Sequence, residues 1–130
     1  MLPRFETERI AQEWIGDRVA WNLRALVLDF CIEAEKHDWS PLITCLLRTV
    51  QEDLALHGNA IHCVGRAADI RTMDIQPDAV VEVCEAINKR WEYNHGDKRN
   101  LLCAVSKEHG TGPHIHLQVN PMTKIIGLDQ

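Results

Sequence analysis

No stretch of the sequence runs for about 18 consecutive apolar residues, the length that reads as a membrane-spanning helix. A secretory signal is missing too: Arg4, Glu6, Glu8 and Arg9 stand where it would need an apolar run, so synthesis in the cytosol is expected. Basic residues are not in excess, and a net charge of −5 removes any general case for nucleic acid and counts mildly against tight binding to an anionic cell envelope. Cys-x-x-Cys pairs are absent, and the five cysteines, at 31, 45, 63, 84 and 103, are odd in number, so they make no disulfide framework. Four of them sit in apolar runs and read as reduced core residues. No internal repeat, low-complexity tract or linker interrupts the chain. What is present is the composition of a globular protein, 25% charged and 45% hydrophobic over 130 residues, which is one domain (1–130) with enough chain to close a core unaided.

Residues 7–37 are helical in character, because Leu23, Leu26, Val27, Phe30, Cys31 and Ala34 recur at helical spacing. Gly16-Asp17 interrupts this segment and predicts a short leading helix carrying Ile10 and Trp14 before the main one. Trp14 and Trp21 read as packing anchors. A break at 38–41 precedes an apolar run at 42–48, predicted to be a buried strand ending in Arg48. Residues 50–59 read as a loop, and 66–71 as a second strand with Ala68 and Ile70 on one face and Ala67, Asp69 and Arg71 on the other. Pro77 then opens a helix with the stripe Val80, Val83, Cys84, Ile87 and Trp91. A charged loop at 93–100, a third strand at 101–105, a Gly-rich turn at 106–113 and a fourth strand at 114–119 complete the pattern, the last two strands pairing as an antiparallel hairpin. The tail from residue 121 carries no signal. The predicted fold class is α+β: a small, mostly antiparallel sheet of about four strands covered by helices near 22–37 and 77–92.

The chemistry concentrates in two places. His62 and Asp69 stand with six residues between them, and His114 and His116 are separated by one. In a strand, His114, His116 and Gln118 share one face while Ile115, Leu117 and Val119 share the other. Catalytic zinc takes three nitrogen or oxygen ligands and leaves a fourth position to water. His62, Asp69 and one of the strand histidines would fill those three places.

His62, Gly65, Ala67, Asp69 and Ile70, preceded by Ile43-Thr44-Cys45-Leu46-Leu47-Arg48-Thr49 and followed by Gly112-Pro113-His114-Ile115-His116, form a pattern that resembles the D-alanyl-D-alanine carboxypeptidase and hedgehog group of zinc metallopeptidases. Those proteins usually read Ser-x-His-x-x-Gly-x-Ala-x-Asp, then a distant Glu-x-x-His or His-x-His, with an Arg on an earlier strand. The likeness runs from about Leu23 to Val119 and lies in three spaced motifs in the family's order. It implies a hedgehog/DD-peptidase-like fold and one zinc ion held by His62, Asp69 and His116. It also implies that His114 assists the chemistry, as base or as donor to the oxyanion. Arg48 matches the strand Arg, whose charge can stabilise that oxyanion or grip a substrate carbonyl. The implied reaction is hydrolysis of a peptide bond in bacterial peptidoglycan, with a D-amino acid at the cut and water on the zinc, its pKa near about 7, as nucleophile. Family members without signal peptides include phage lysis enzymes that reach the wall through a holin, which fits a phage or prophage origin.

The chain departs from the family at several points. Ala60 replaces the Ser before the first ligand, Cys45 and Leu47 the Ser and Tyr of the strand motif, and Ile115 the Trp before the last ligand. Pro113 occupies the place of the carboxylate in the Glu-x-x-His branch and can transfer no proton, leaving His114, His109 and Glu108 as candidates. A second reading follows from Pro113: a binding module that keeps zinc and has lost catalysis. A cupin-like metal protein also uses a strand His-x-His, but two helical stripes argue against an almost all-strand fold. His37, His57 and His95 read as surface or hydrogen-bonded residues, and Cys63, next along a strand from His62, would point away from the site.

Overall fold

The computed structural model describes residues 2–57, 61–94, 101–107 and 112–126. It is α+β, with a mixed five-stranded sheet, a two-stranded sheet and four helices among these residues. The strands are β1 (Arg4–Phe5), β2 (Leu42–Cys45), β3 (Ala67–Arg71), β4 (Trp91–Glu92), β5 (Ala104–Lys107), β6 (His114–Gln118) and β7 (Lys124–Ile125). The helices are α1 (Glu8–Ile15), α2 (Trp21–Glu35), α3 (Val50–His57) and α4 (Pro77–Arg90). The main sheet has the order β1-β2-β3-β6-β5, antiparallel except for the parallel β1–β2 pair, and β4 pairs with β7. No helix among the described residues is long and apolar enough to cross a membrane.

Period-two alternation divides the sheet. Ile43, Ala68, Ile70, Ile115 and Leu117 are buried in one cluster with Leu23, Leu26, Val27 and Phe30 of α2 and Val80, Val83 and Ile87 of α4. The opposite face is thereby left to Asp69, Arg71, His114 and His116. An ion-pair network fixes the two covering helices: Asp29 of α2 accepts from Arg90 Nε at 3.0 Å and from Trp91 Nε1 at 2.7 Å. Asn88 of α4 donates to the Ala104 carbonyl and accepts from the Ala104 amide, each at 2.9 Å, closing one position of the β5 edge.

Several sequence expectations need correction. The strand expected over 42–48 stops at Cys45, because the next polar backbone groups find side chains: the Leu47 amide donates to Glu13 Oε1 at 3.1 Å, and the Leu46 carbonyl lies 3.1 Å from His62 Nδ1. The loop expected over 50–59 contains helix α3. Its start is a capping box, in which Thr49 Oγ1 accepts from the Glu52 amide at 3.1 Å and Glu52 Oε1 accepts from the Thr49 amide at 2.9 Å. The third strand lies at 104–107 and not 101–105; Leu101 and Leu102 are exposed, and an edge strand tolerates Ser106 and Lys107. Cys63 sits in a 3-10 turn, His62–Val64, so the strand argument for its direction does not apply. Trp21 is no packing anchor, being 78% exposed, whereas Trp14 packs against the core. The tail contributes β7.

Gly65 ends the His62 turn in the left-handed region at φ 70°, and a Cβ there would lie 1.9 Å from the Arg18 carbonyl oxygen. Gly65→Ala should therefore destabilise the protein by at least about 2 kcal/mol, and Thr49→Ala, which removes the cap of α3, by about 1 kcal/mol. Urea unfolding of both variants checks the ranking.

Candidate metal centre

The structure brings His62, Asp69 and His116 together from three segments. Asp69 and His116 face each other across the β3–β6 ladder, while the turn held by Gly65 delivers His62. All three are buried, at 0%, 4% and 4% exposure. Asp69 Oδ1 lies 3.1 Å from His116 Nδ1 and 3.4 Å from His62 Nε2, and the imidazoles meet edge to face with centroids 5.4 Å apart. Two nitrogen or oxygen ligands on one tetrahedral zinc are separated by about 3.3 Å, given metal–ligand bonds of about 2.0–2.1 Å. Both contacts to Asp69 fall near that spacing, while the group whose ligand atoms all lie within 4.8 Å of one another is Cys45, His62 and Asp69, without His116.

The groups behind the donors set their direction. His62 Nδ1 is 3.1 Å from the Leu46 carbonyl, which accepts a hydrogen bond from Nδ1–H and turns Nε2 towards Asp69. Arg48 Nη2 donates to Asp69 Oδ2 at 3.3 Å, so one carboxylate oxygen is tethered while the other meets the histidines. Arg48 thus reaches the site through Asp69, and it also lines a cleft of about 650 Å³. His114 lines the same cleft; it is 8% exposed, and its Nδ1 lies 2.8 Å from the Gly112 carbonyl. Glu108, His109 and His95 lie outside the described residues, as do Ala60 and the side chain of His57. His37 pairs with Glu82 at 3.4 Å, away from this site.

Cys45 enters the site as well. Its Sγ, an imidazole nitrogen of His62 and a carboxylate oxygen of Asp69 lie within 4.8 Å of one another, a second possible donor set. Sequence alternation would put Cys45 on the core face with Ile43. A register shift between these two residues instead pairs Cys45 with Asp69 on the site face, and nothing in the residue pattern marks that bulge. Cys45 Sγ is 3.8 Å from His62 Nδ1, the nitrogen already directed at Leu46. Coordination through that nitrogen would sacrifice the Leu46 hydrogen bond, whereas the His62, Asp69 and His116 set keeps it. Burial pushes the thiols of Cys31, Cys84 and Cys103 up to about 11, 11 and 12, so these three stay protonated near neutral pH.

Comparison with protein-family models finds none that matches the chain, and searches of curated proteins and of solved structures likewise find no match.

Without metal, Asp69 and His62 shift in opposite directions. Burial alone would raise Asp69, but hydrogen bonds from His116 and His62 outweigh it and hold its carboxyl well below the ordinary 3.8. Burial disfavours charged His62, yet its hydrogen bond to Asp69, with a contribution from Cys45, raises it from 6.5 to about 10. The lowered Asp69 contributes stability that is present above 3.8 and lost as pH falls below it. The raised His62 contributes stability that is full below 6.5 and lost as pH rises through about 10. Metal-free protein should therefore show this contribution in full between those limits and lose it on either side. Urea midpoints measured from pH 3 to 10 check this, and Asp69→Asn should flatten both limbs.

Proposed function

We propose that the chain is a zinc-dependent peptidase of the D-alanyl-D-alanine carboxypeptidase and hedgehog type, acting on peptide bonds of bacterial cell-wall peptides. One observation carries the reading: Asp69 Oδ1 stands 3.1 Å from His116 Nδ1 and 3.4 Å from His62 Nε2, each close to the separation of two neighbouring ligands on a metal ion. The arrangement of candidate ligands on adjacent antiparallel strands and a preceding turn, with α2 and α4 on the far face, supports a hedgehog-like fold. When bound, zinc would supply a water of lowered pKa and polarise a carbonyl.

The chain's own residues supply the rest. The carbonyl of Gly112 fixes the His114 ring by accepting a hydrogen bond from Nδ1–H, which leaves Nε2 as the atom that accepts or returns a proton. His114 stands two residues before the proposed ligand His116 on the same strand face, so its place is set by backbone. Pro113 lines the cleft and contributes no acid or base. Arg48 anchors Asp69 and adds fixed positive charge beside the carbonyl that would be attacked. Wall peptides would reach the enzyme after lysis or by another route out of the cell.

A second reading keeps the zinc and drops the hydrolysis, favoured by Pro113 in the family's carboxylate position. Zinc content and wall-peptide cleavage measured in parallel separate the two. His62→Ala should abolish metal binding. His114→Ala should keep nearly full zinc and lose about a hundredfold or more in turnover, while Glu108→Gln should lose much less. Full activity in His114→Ala removes it from the mechanism, and zinc without cleavage in the parent protein selects the binding module.

A further inference from the structure

We propose that the open edge of β5 at Ser106 takes an extended segment of a partner protein, whose branched aliphatic side chain fills the apolar groove between that edge and α4. The backbone of the edge specifies a polypeptide as the ligand. Ala104 turns its N–H and C=O away from β6, because both are bonded to the side chain of Asn88. The carbonyl of Cys103, one residue earlier, instead accepts from the Gln118 amide beside β6. In an antiparallel strand this direction repeats every second residue. Ser106, exposed and two positions on from Ala104, therefore also presents its N–H and C=O outward, and neither has a hydrogen-bond partner among the described residues. The Asn88 carboxamide occupies the place of a neighbouring strand at Ala104 and leaves the next such place open.

A residue that exchanges both bonds with Ser106 directs its side chain to the same face of the sheet as Ser106 does. Ser106 pairs with Ile115, a core residue, so that face is the one covered by α4. There Ile75, Val80, Val81 and Cys84 line a groove of about 490 Å³, within the range of about 300–1,000 Å³ that holds small ligands. Val81 is 52% exposed and Cys84 half-buried, so this wall is open to solvent. Met73 and Pro113 line both this groove and the metal cleft and so divide the two. Glu85, one turn before Asn88 on α4, is the charged side chain of the lining. It favours a basic residue two positions from the aliphatic one, on the same face of the segment. The segment is built of L residues, because a D residue would carry its side chain to the Hα position and out of the groove. Asn88 limits pairing to one bridge, too short an edge for a strand of a second copy but enough for a segment anchored by its side chain.

The test titrates the isotope-labelled full chain with N-acetyl-Lys-Ser-Ile-Ser-Lys-amide and follows the Ser106 amide by NMR. That amide should shift saturably. Methylating the isoleucine nitrogen, which removes the donor to the Ser106 carbonyl, should weaken binding about tenfold or more. Serine in place of the isoleucine should do the same, as should the D-isoleucine epimer. Val81→Asp, at an exposed position that spares the fold, should abolish the shift, and Glu85→Gln should weaken binding about two- to fivefold. No saturable shift, equal binding of the N-methyl peptide, or full binding by Val81→Asp overturns the proposal. Equal or tighter binding of the D epimer gives the groove to a wall peptide, and self-association through this edge without peptide gives it to a second copy; either result overturns the partner reading. No step involves zinc, so the peptidase reading stands or falls separately.

Discussion

A carboxylate withdrawn from water persists as an anion only if donors replace its hydration, and the Asp69 side chain is where this protein meets that demand. Its two oxygens receive His116 from β6, His62 from the turn before β3 and Arg48 from the chain after β2. Three segments distant in sequence are thus drawn onto one face of the sheet by one side chain. Removing the carboxylate would leave buried imidazoles and a guanidinium short of their acceptor, a change that costs about 3–5 kcal/mol where a buried pair loses one member. Two of the three groups that satisfy Asp69 are imidazoles, the residue type that the proposed metal site would also use.

The helical layer makes that face available. Because α2 and α4 occupy one side of the sheet with Phe30, Val83, Ile87 and their neighbours, the alternating residues of β3 and β6 have only the other side for polar groups. Ile115 and Leu117 enter the core as His114 and His116 enter the site, and neither set can move without the other. Gly65 completes the geometry by letting the turn pass within contact of the Arg18 backbone, a passage closed to any residue with a Cβ.

Much of this was legible in the chain itself. Two apolar stripes of helical period gave α2 and α4, and alternation placed Ala68, Ile70, Ile115 and Leu117 against them, because both signals come from side chains that pack. The spacing of His62, Asp69 and His116 pointed to residues that the fold does bring together. What escaped was governed by polar backbone satisfaction. The Thr49–Glu52 capping box is present as Thr-x-x-Glu, but it opens a polar, acidic run of the kind that reads as a loop, which hides α3. The end of β2 depends on Glu13 and His62 meeting the backbone of Leu47 and Leu46, and the turn of Cys45 into the site depends on a bulge. Neither leaves a periodic trace.

Both His116 and Cys45 lie close enough to His62 and Asp69 to serve as third donor in the proposed metal site. X-ray absorption at the zinc edge of the metal-loaded protein reads the ligand atoms directly. The arrangement described here predicts one zinc per chain with only nitrogen and oxygen at about 2.0–2.1 Å and two imidazoles in the outer-shell pattern. A sulfur at about 2.3 Å would place Cys45 on the metal, and a protein that binds no zinc would contradict the metal centre altogether.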